Sequence, residues 1–560
     1  MTARFASILP GIVIACVFSL LLNASDLRSW SRGTLNVAEL GASLGSADEV
    51  YYFALLRDAR DGHLNMGNSS FAAYRDAPSL TGYALLPQGL LGAFISLDLT
   101  TVVLLGDILF PACIAFLLYM IAFCVFRRRT EAALFAIVFL TRWGTGSLRT
   151  MNPQVTMSVF FLCLYLLLAD PDTQRPWRRG LGLAAAVLVH PVSALLLLAI
   201  EGLDAAWAAL RTRQVLSVVR ARWKIFLPPL LAGLGQSLWV TAHTDSAILA
   251  DLSARRGLIL SHLPSDPVTS ALLLLLSVPW LLRLRATGGR DSTAKYMVLF
   301  ALGGLVVLNQ QVLHGHEVIF GLYYHLPLTL FLTLMIFGII AFVAPRWLLL
   351  SAFSVSILFA APSFAAGLRV GAQVTTEASQ SLRDSDVPAV LTALEKMSGD
   401  RIVLAPIDVS NLVPVLTHHT TLFTQYAHFE YVSDAELAER YLLIRKFFPL
   451  PAIQTVEGDP LVFGLAAGNL YARAKLVCRL RNFLGMSSSD CAGLKLPDFI
   501  LHQDVRRFVD EGVVDAPALL AKYRVNTVVS DRPLPALLAT RCRKSQDIGQ
   551  YVIYDCAFGG

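Results

Sequence analysis

"TVVLLGDILFPACIAFLLYMIAFCVF" occupies residues 101–126. Asp107 is its only charge, and three arginines, Arg127, Arg128 and Arg129, close it. About 20 apolar residues suffice to cross a bilayer as a helix, so this stretch reads as a membrane span. That reading decides the fold, because comparable runs recur at 131–147, 154–169, 180–190, 192–209, 224–243, 267–284, 294–313, 323–343 and 347–366. Residues 5–24 form a further run. Only Arg4 precedes it and it exceeds a usual signal core, so it is expected to be a retained first helix. About eleven spans result. Several are short, which is tolerated for helices buried against others or lining a cavity.

Composition agrees. Of 560 residues, 55% are hydrophobic and 15% charged, against roughly 25% charged in soluble domains. Residues 1–370 hold 27 Lys/Arg and 19 Asp/Glu; residues 371–560 hold 19 and 21 with ordinary soluble patterning. The expected architecture is a multi-pass α-helical membrane protein (1–370, with an outer loop at 25–100) followed by a soluble α/β domain (371–560).

Charge orients it. Arg4, the arginines at 127–129, Arg175, Arg178, Arg179, Arg211, Arg213, Arg220, Arg222, Lys224, Arg283, Arg285, Arg290, Lys295 and Arg346 put 17 basic residues on one side. The opposite loops before residue 367 hold eight: Arg28, Arg32, Arg57, Arg60, Arg75, Arg149, Arg255 and Arg256. The richer side is cytoplasmic by the positive-inside rule. The N-terminus is then cytoplasmic, and the 25–100 loop and the C-terminal domain face outward. Cysteines fit: Cys16, Cys113, Cys124 and Cys163 lie in apolar helices, while Cys478, Cys491, Cys542 and Cys556 lie in the exported tail and are expected to form disulfides. Of three pairings, Cys478–Cys491 with Cys542–Cys556 is the most local.

In the tail, 400–406, 525–531 and 549–558 read as strands. Residues 433–448, "SDAELAERYLLIRKFF", open on a Ser-x-x-Glu capping box and continue at helical spacing. The chain has no GxGxxG, P-loop, GxSxG, HExxH or CxxC motif. No nucleic-acid partner is expected. The tail reads either as an accessory domain packed on the membrane part or as an acceptor-recognition domain.

Polar groups concentrate at the outer level: Asp48, Glu49, Asp61 and Asp76 in the first loop, Asp107 near the start of the 101–126 span, Arg149 in "LRTMNPQ", His190 in "VHP", and Arg255, Arg256 and His262 in the 243–266 loop. Polar groups at membrane depth are costly and mark cavities or sites. Singly each has a structural reading: His190 before proline caps a helix, and Arg149 snorkels. Residues 49–60 read as an amphipathic helix with Val50, Phe53, Ala54 and Leu56 on one side, Arg57 and Arg60 facing out, and Asp48 at the N-cap.

This layout resembles the GT-C superfamily of membrane glycosyltransferases, which use polyprenyl-phosphate sugar donors and carry an essential Asp in the first outer loop. Asp48–Glu49 resembles the Asp-Glu motif of the protein O-mannosyltransferases and lipid A aminoarabinose transferases, and "YYFALLRDARDGH", with Tyr52, resembles the helix that follows it. "YRDAPSLTGYALLPQGLLGAF" (74–94), "RTMNPQ", "VLVHPVSALLLL" and "NQQVLHGHE" are similar to segments of bacterial members. The resemblance covers most of residues 1–370 in layout. No Trp follows Trp347, so the Trp-Trp-Asp signature of oligosaccharyltransferases is absent, and no sugar-binding domain is inserted between the helices.

The resemblance implies an inverting glycosyltransferase in a bacterial inner membrane. It moves a sugar from a polyprenyl-phosphate donor to a lipid, glycan or protein acceptor at the outer face. Asp48 is expected to act as base and Glu49 to orient. Arg149, Arg255 and Arg256 are the candidate cations for the leaving phosphate. Tyr52, Asp76, Asp107, His190 and His262 complete the expected donor-binding set. No metal ligand is assigned, although a divalent cation is compatible with His190, His262, His314 and His316 on the outer side. Two readings from other classes compete: a transporter or flippase, against which stand the lack of an inverted repeat and of paired broken helices, and a non-catalytic envelope-assembly scaffold, against which stands the intact Asp-Glu pair.

Overall fold

The computed structural model describes residues 2–35, 37, 49–78, 83, 85–147, 154–170, 174–255, 258–260, 266–318, 322–448, 474, 478, 482 and 515–558. Helices α1 (Thr2–Leu22) and α2 (Ala24–Ser31) meet at a 65° bend. The short α3 (Glu49–Arg60) and α4 (Leu86–Phe94) precede α5 (Leu99–Phe126). Then follow α6 (Arg129–Ser147), α7 (Gln154–Ala169), α8 (Pro176–Val189), α9 (Pro191–Thr212) and α10 (Val215–His243). α11 (Ser246–Arg255) and strand β1 (Leu258–Leu260) lead into α12 (Pro267–Ala286) and α13 (Ser292–Asn309). The single turn α14 (Gln311–His314) and β2 (His316–Val318), antiparallel to β1, lead into α15 (Leu322–Val343) and α16 (Arg346–Arg383).

Among the described residues seven helices are long and apolar enough to cross a membrane: α5, α9, α10, α12, α13, α15 and the Arg346–Val370 part of α16. Counting the bent α1–α2 pair as one span makes eight. The count falls short of eleven because α7 and α8 have 16 and 14 residues and α6 carries Glu131 and Arg142, although each is helical where a span was expected. Large apolar side chains such as Leu238, Leu275, Leu358 and Phe359 point away from the bundle and stay exposed. Water would disfavour so much outward apolar surface, whereas lipid matches it.

Inside the bundle several polar groups are paired. Pro111 has no N–H, so the carbonyl of Asp107, four residues earlier in α5, lacks its helical donor. The side chain of Asn23 supplies one at 2.8 Å, and Ser19 Oγ donates to the carbonyl of Ile108 at 2.6 Å. Those two bonds dock α1 on α5 and fix the site of the bend. α8 and α10 approach closely at Gly180, where a Cβ would sit 2.3 Å from the Lys224 carbonyl oxygen. At the same level Glu201 and Asp204 of α9 are buried with three cations: Arg179 Nη2 lies 2.5 Å from Glu201, Arg222 Nη1 2.7 Å and Lys295 Nζ 3.0 Å from Asp204. This set ties α8, α9, α10 and α13 together.

The C-terminal region holds a five-stranded sheet ordered β4-β3-β5-β7-β6. β3 (Ile402–Leu404), β4 (Thr420–Thr421) and β5 (Thr527–Ser530) are parallel; β6 (Cys542–Ile548) and β7 (Tyr551–Cys556) add antiparallel. α17 (Val387–Glu395), α18 (Ile407–Leu416), α19 (Asp434–Phe447), α20 (Ala516–Lys522) and α21 (Ala536–Ala539) accompany it. The Ser433 side chain caps α19 by accepting from the Glu436 amide at 3.2 Å. The β6–β7 turn has positive φ at Gly549 (+54°), where a Cβ would also overlap the Asp386 carboxylate; glycine meets both demands. Cys542 and Cys556 form the expected disulfide at the sheet edge, and Cys478 is disulfide-bonded too, while Cys491 lies outside the described residues. Cys16, Cys113, Cys124 and Cys163 are free thiols.

Candidate functional site

The first loop and the C-terminal region, more than 300 residues apart in sequence, fold as one cap over one end of the bundle. Phe71 is wholly buried in the C-terminal core, with the Arg440 guanidinium 4.2 Å above its ring. Ser70 Oγ donates to Glu430 Oε1 at 2.7 Å, Asn68 Nδ2 to the Tyr431 carbonyl at 3.0 Å, and Tyr74 Oη to Glu436 at 2.6 Å. α11 joins the same cap: its Asp251 accepts from the Asp434 amide at 3.0 Å.

Beneath the cap lies α3. Tyr51, Phe53, Ala54, Leu55, Leu56 and Ala59 share a core with Leu99, Val102 and Val103 of α5, Val155 of α7, and Val415 and Tyr426 of the C-terminal region. The helix is therefore enclosed on nearly all sides. Arg57 and Arg60, expected to face out, instead reach partners: Arg57 bonds Asp61 at 2.6 Å and Glu395 at 3.1 Å, and Arg60 donates to the Leu97 carbonyl at 3.0 Å. The sequence shows the apolar stripe of α3 but not the second surface that folds over it.

A chain of charged contacts crosses the seam. Arg75 grips the buried Asp58 through Nη2 at 2.8 Å and Nε at 3.1 Å, and donates Nη1 to the His418 carbonyl at 3.2 Å. The His418 amide and Nδ1 lie 2.8 and 3.0 Å from Glu395 Oε2, and Glu395 returns to Arg57. Burial pushes Asp58 up to about 6, partly offset by Arg75. Burial also works to raise Glu395, but the His418 amide and Arg57 outweigh it and hold its carboxyl below the usual range.

Glu49 opens α3 and is completely buried. Tyr52 follows it, half-buried, its neighbour Tyr51 packed against both Tyr52 and Phe429. Asp107 is buried on α5, its carbonyl held by Asn23. His190 is buried at the α8–α9 break, where Nδ1 accepts from the Ser193 amide at 3.1 Å, the capping role foreseen for a histidine before proline. The buried Gln154, not singled out from the sequence, begins α7 beside them. Glu49, Asp107, Gln154 and His190 thus sit on elements meeting at the capped end. Asp76 stands apart, 83% exposed and 3.4 Å from His63 Nδ1. Arg255 ends α11. Asp48, Arg149, Arg256 and His262 lie outside the described residues.

Among the described residues no three His, Cys, Asp or Glu side chains are grouped to hold a metal. The chemistry within reach is that of shielded carboxylates: a buried acid at a helix start, near amide dipoles, can hold or take a proton away from bulk water. Compared with protein-family models and with curated protein sequences, the chain matches none.

Proposed function

We propose that the protein is a polyprenyl-phosphate-dependent glycosyltransferase of the GT-C type, with eleven spans completed by α6, α7 and α8 packed among longer helices, and with the capped end outside the cytoplasm. The observation that carries this reading is the burial of Glu49, directly after Asp48, at the head of a helix clamped between bundle and cap. A buried ionisable group at the head of a helix in such a seam is placed for acid–base chemistry shielded from bulk water.

In this reading Asp48 takes the proton from an acceptor hydroxyl. The hydroxyl oxygen attacks the anomeric carbon from the face opposite the phosphate, the bond from that carbon to the phosphate oxygen breaks, and the polyprenyl phosphate leaves with the electron pair and inversion. Arg149, Arg255 and Arg256 meet the departing phosphate, Glu49 orients, and Tyr52, Asp107, His190 and His262 line the donor path, while the exposed Asp76 lies away from them. The C-terminal region acts as an extracytoplasmic α/β domain that closes the site over the acceptor. The test is transfer from a panel of radiolabelled polyprenyl-phosphate sugars in membranes holding the wild type or Asp48→Asn. Loss of general-base function costs about 10²–10⁴ in rate; near-normal transfer by Asp48→Asn would overturn the assignment.

A further inference from the structure

The opposite end of the bundle carries a second candidate site that does not depend on the glycosyltransferase reading. A cavity of about 430 Å³ opens between the α5–α6 turn, the end of α12, and the junction of α15 with α16. Four arginines line it, Arg127, Arg128, Arg283 and Arg346. The acids near them are Glu131, buried and bonded by Arg346 Nε at 2.8 Å with Arg128 Nη1 at 3.4 Å, and Asp291, 2.6 Å from Arg283 Nε. Four cations less two acids leave a surplus of +2.

The remaining wall is apolar and aromatic. Arg283 lies 4.8 Å over the ring of Phe342. Trp280 is 2% exposed, and its Nε1 has no hydrogen-bond partner among the described residues. A buried donor left unserved costs free energy, and a ligand acceptor would remove that cost. The position along the membrane normal also matters. Arg127 follows Asp107 by 20 residues of α5, about 30 Å at 1.5 Å per residue, the thickness of a bilayer's hydrocarbon core. The pocket therefore sits at headgroup depth in the leaflet opposite the cap.

We propose that this pocket binds the phosphodiester headgroup of an anionic membrane lipid. Arginine forks match phosphate oxygens, and basic pockets between membrane helices take acidic headgroups. Trp280 Nε1 can serve any phosphate oxygen, but the apolar faces of Trp280 and Phe342 favour a lipid over free phosphate, because inorganic phosphate has no carbon to pack against them.

The experiment uses the full chain in detergent, titrated with phosphatidylglycerol, phosphatidylcholine or inorganic phosphate and read by native mass spectrometry. Phosphatidylglycerol should be retained about tenfold or more over phosphatidylcholine, and equimolar inorganic phosphate should not displace it. Each exposed arginine removed should weaken retention about fivefold, so Arg127→Gln with Arg128→Gln should lower it about 25-fold; Trp280→Phe, which keeps an aromatic ring but loses the donor and part of the ring area, should lower it severalfold. A photoactivatable phosphatidylglycerol on the wild type should label segments 125–131 and 280–283, a readout that needs no variant to fold. Equal retention of the two lipids, displacement by phosphate, unchanged binding by the folded double variant, or labelling confined to other segments would overturn the proposal.

Discussion

Arg57 Nη2 lies 3.1 Å from Glu395 Oε1, joining the helix after the first span to a residue 338 positions later. The pair sits in a seam with Asp61 and His418, so its members are coupled. Arg57 is 14% exposed and Glu395 38%, which places the bond between a surface pair and a buried one. A double-mutant cycle of Arg57→Ala and Glu395→Ala, read by thermal unfolding in detergent, should give a coupling of about 1 kcal/mol. Strict additivity would mean that the two regions touch without supporting each other.

That contact also constrains topology. Residues 49–78 and 395–436 bond directly, so they share a side of the membrane, and the α12–α13 turn at 287–291 belongs to the other end. If the basic end is cytoplasmic, as proposed, Ser398→Cys in intact cells should react with a membrane-impermeant thiol reagent, and Thr287→Cys should react only after permeabilisation. The reverse pattern would invert the orientation, and equal reactivity of both positions would break the model of one cap at one end.

Asp58 sets a pH dependence. Its folded value is about 6 against 3.8 for an ordinary Asp. As pH falls from 6 towards 4 the folded state takes up a proton that the unfolded chain does not, so this group's contribution is fully present below about 4 and is lost as pH rises through 6. The difference of 2.2 units corresponds to about 3 kcal/mol. Asp58→Asn should flatten the stability profile between pH 4 and 6. An unchanged slope would assign that titration elsewhere.

Much of the fold is legible in the sequence because its signals are local. The run at 101–126 became Leu99–Phe126, the capping box at Ser433 caps α19, and the His-Pro break at 190–191 ends one helix and starts the next. Cys542 and Cys556 face each other because their strands pair in register. Contacts between distant segments left no such trace. Arg57 and Arg60 read as solvent-facing because Glu395 and Leu97 are remote in sequence. Arg179, Arg222 and Lys295 read as loop charges, although Glu201 and Asp204 inside the 192–209 run gave the cue that buried partners were needed. Of the candidate site, burial of Glu49, Asp107 and His190 is now visible; the positions of Asp48, Arg149, Arg256 and His262 lie outside the described residues.

The Asp204 cluster should matter for folding. Asp204 balances Arg222 and Lys295 at 2.7 and 3.0 Å while 1% exposed. Asp204→Asn leaves two cations facing each other in the bundle, and breaking a buried pair costs about 3–5 kcal/mol. Thermal unfolding in detergent should show the loss, and Lys295→Met in the Asp204→Asn background should recover part of it. Retention of full stability by Asp204→Asn would show that water or lipid phosphate already serves those cations.

Glu49 separates a catalytic seam from a structural one. Gln keeps the shape of the side chain and its capacity to hydrogen-bond, and it removes only the ionisable group. Glu49→Gln should therefore stay folded, with thermal unfolding close to that of the wild type. If the carboxylate orients Asp48 or the acceptor, transfer from a polyprenyl-phosphate sugar should fall about tenfold in kcat with little change in KM, a smaller loss than that of Asp48→Asn, because an orienting group acts through the base. The pH profile adds a second readout, since removal of a neighbouring charge should shift the acid limb of the rate. Full activity together with wild-type stability would leave the buried acid without a role in transfer, and the search for the carboxylate partner of Asp48 would move to Asp107 on the adjoining end of α5.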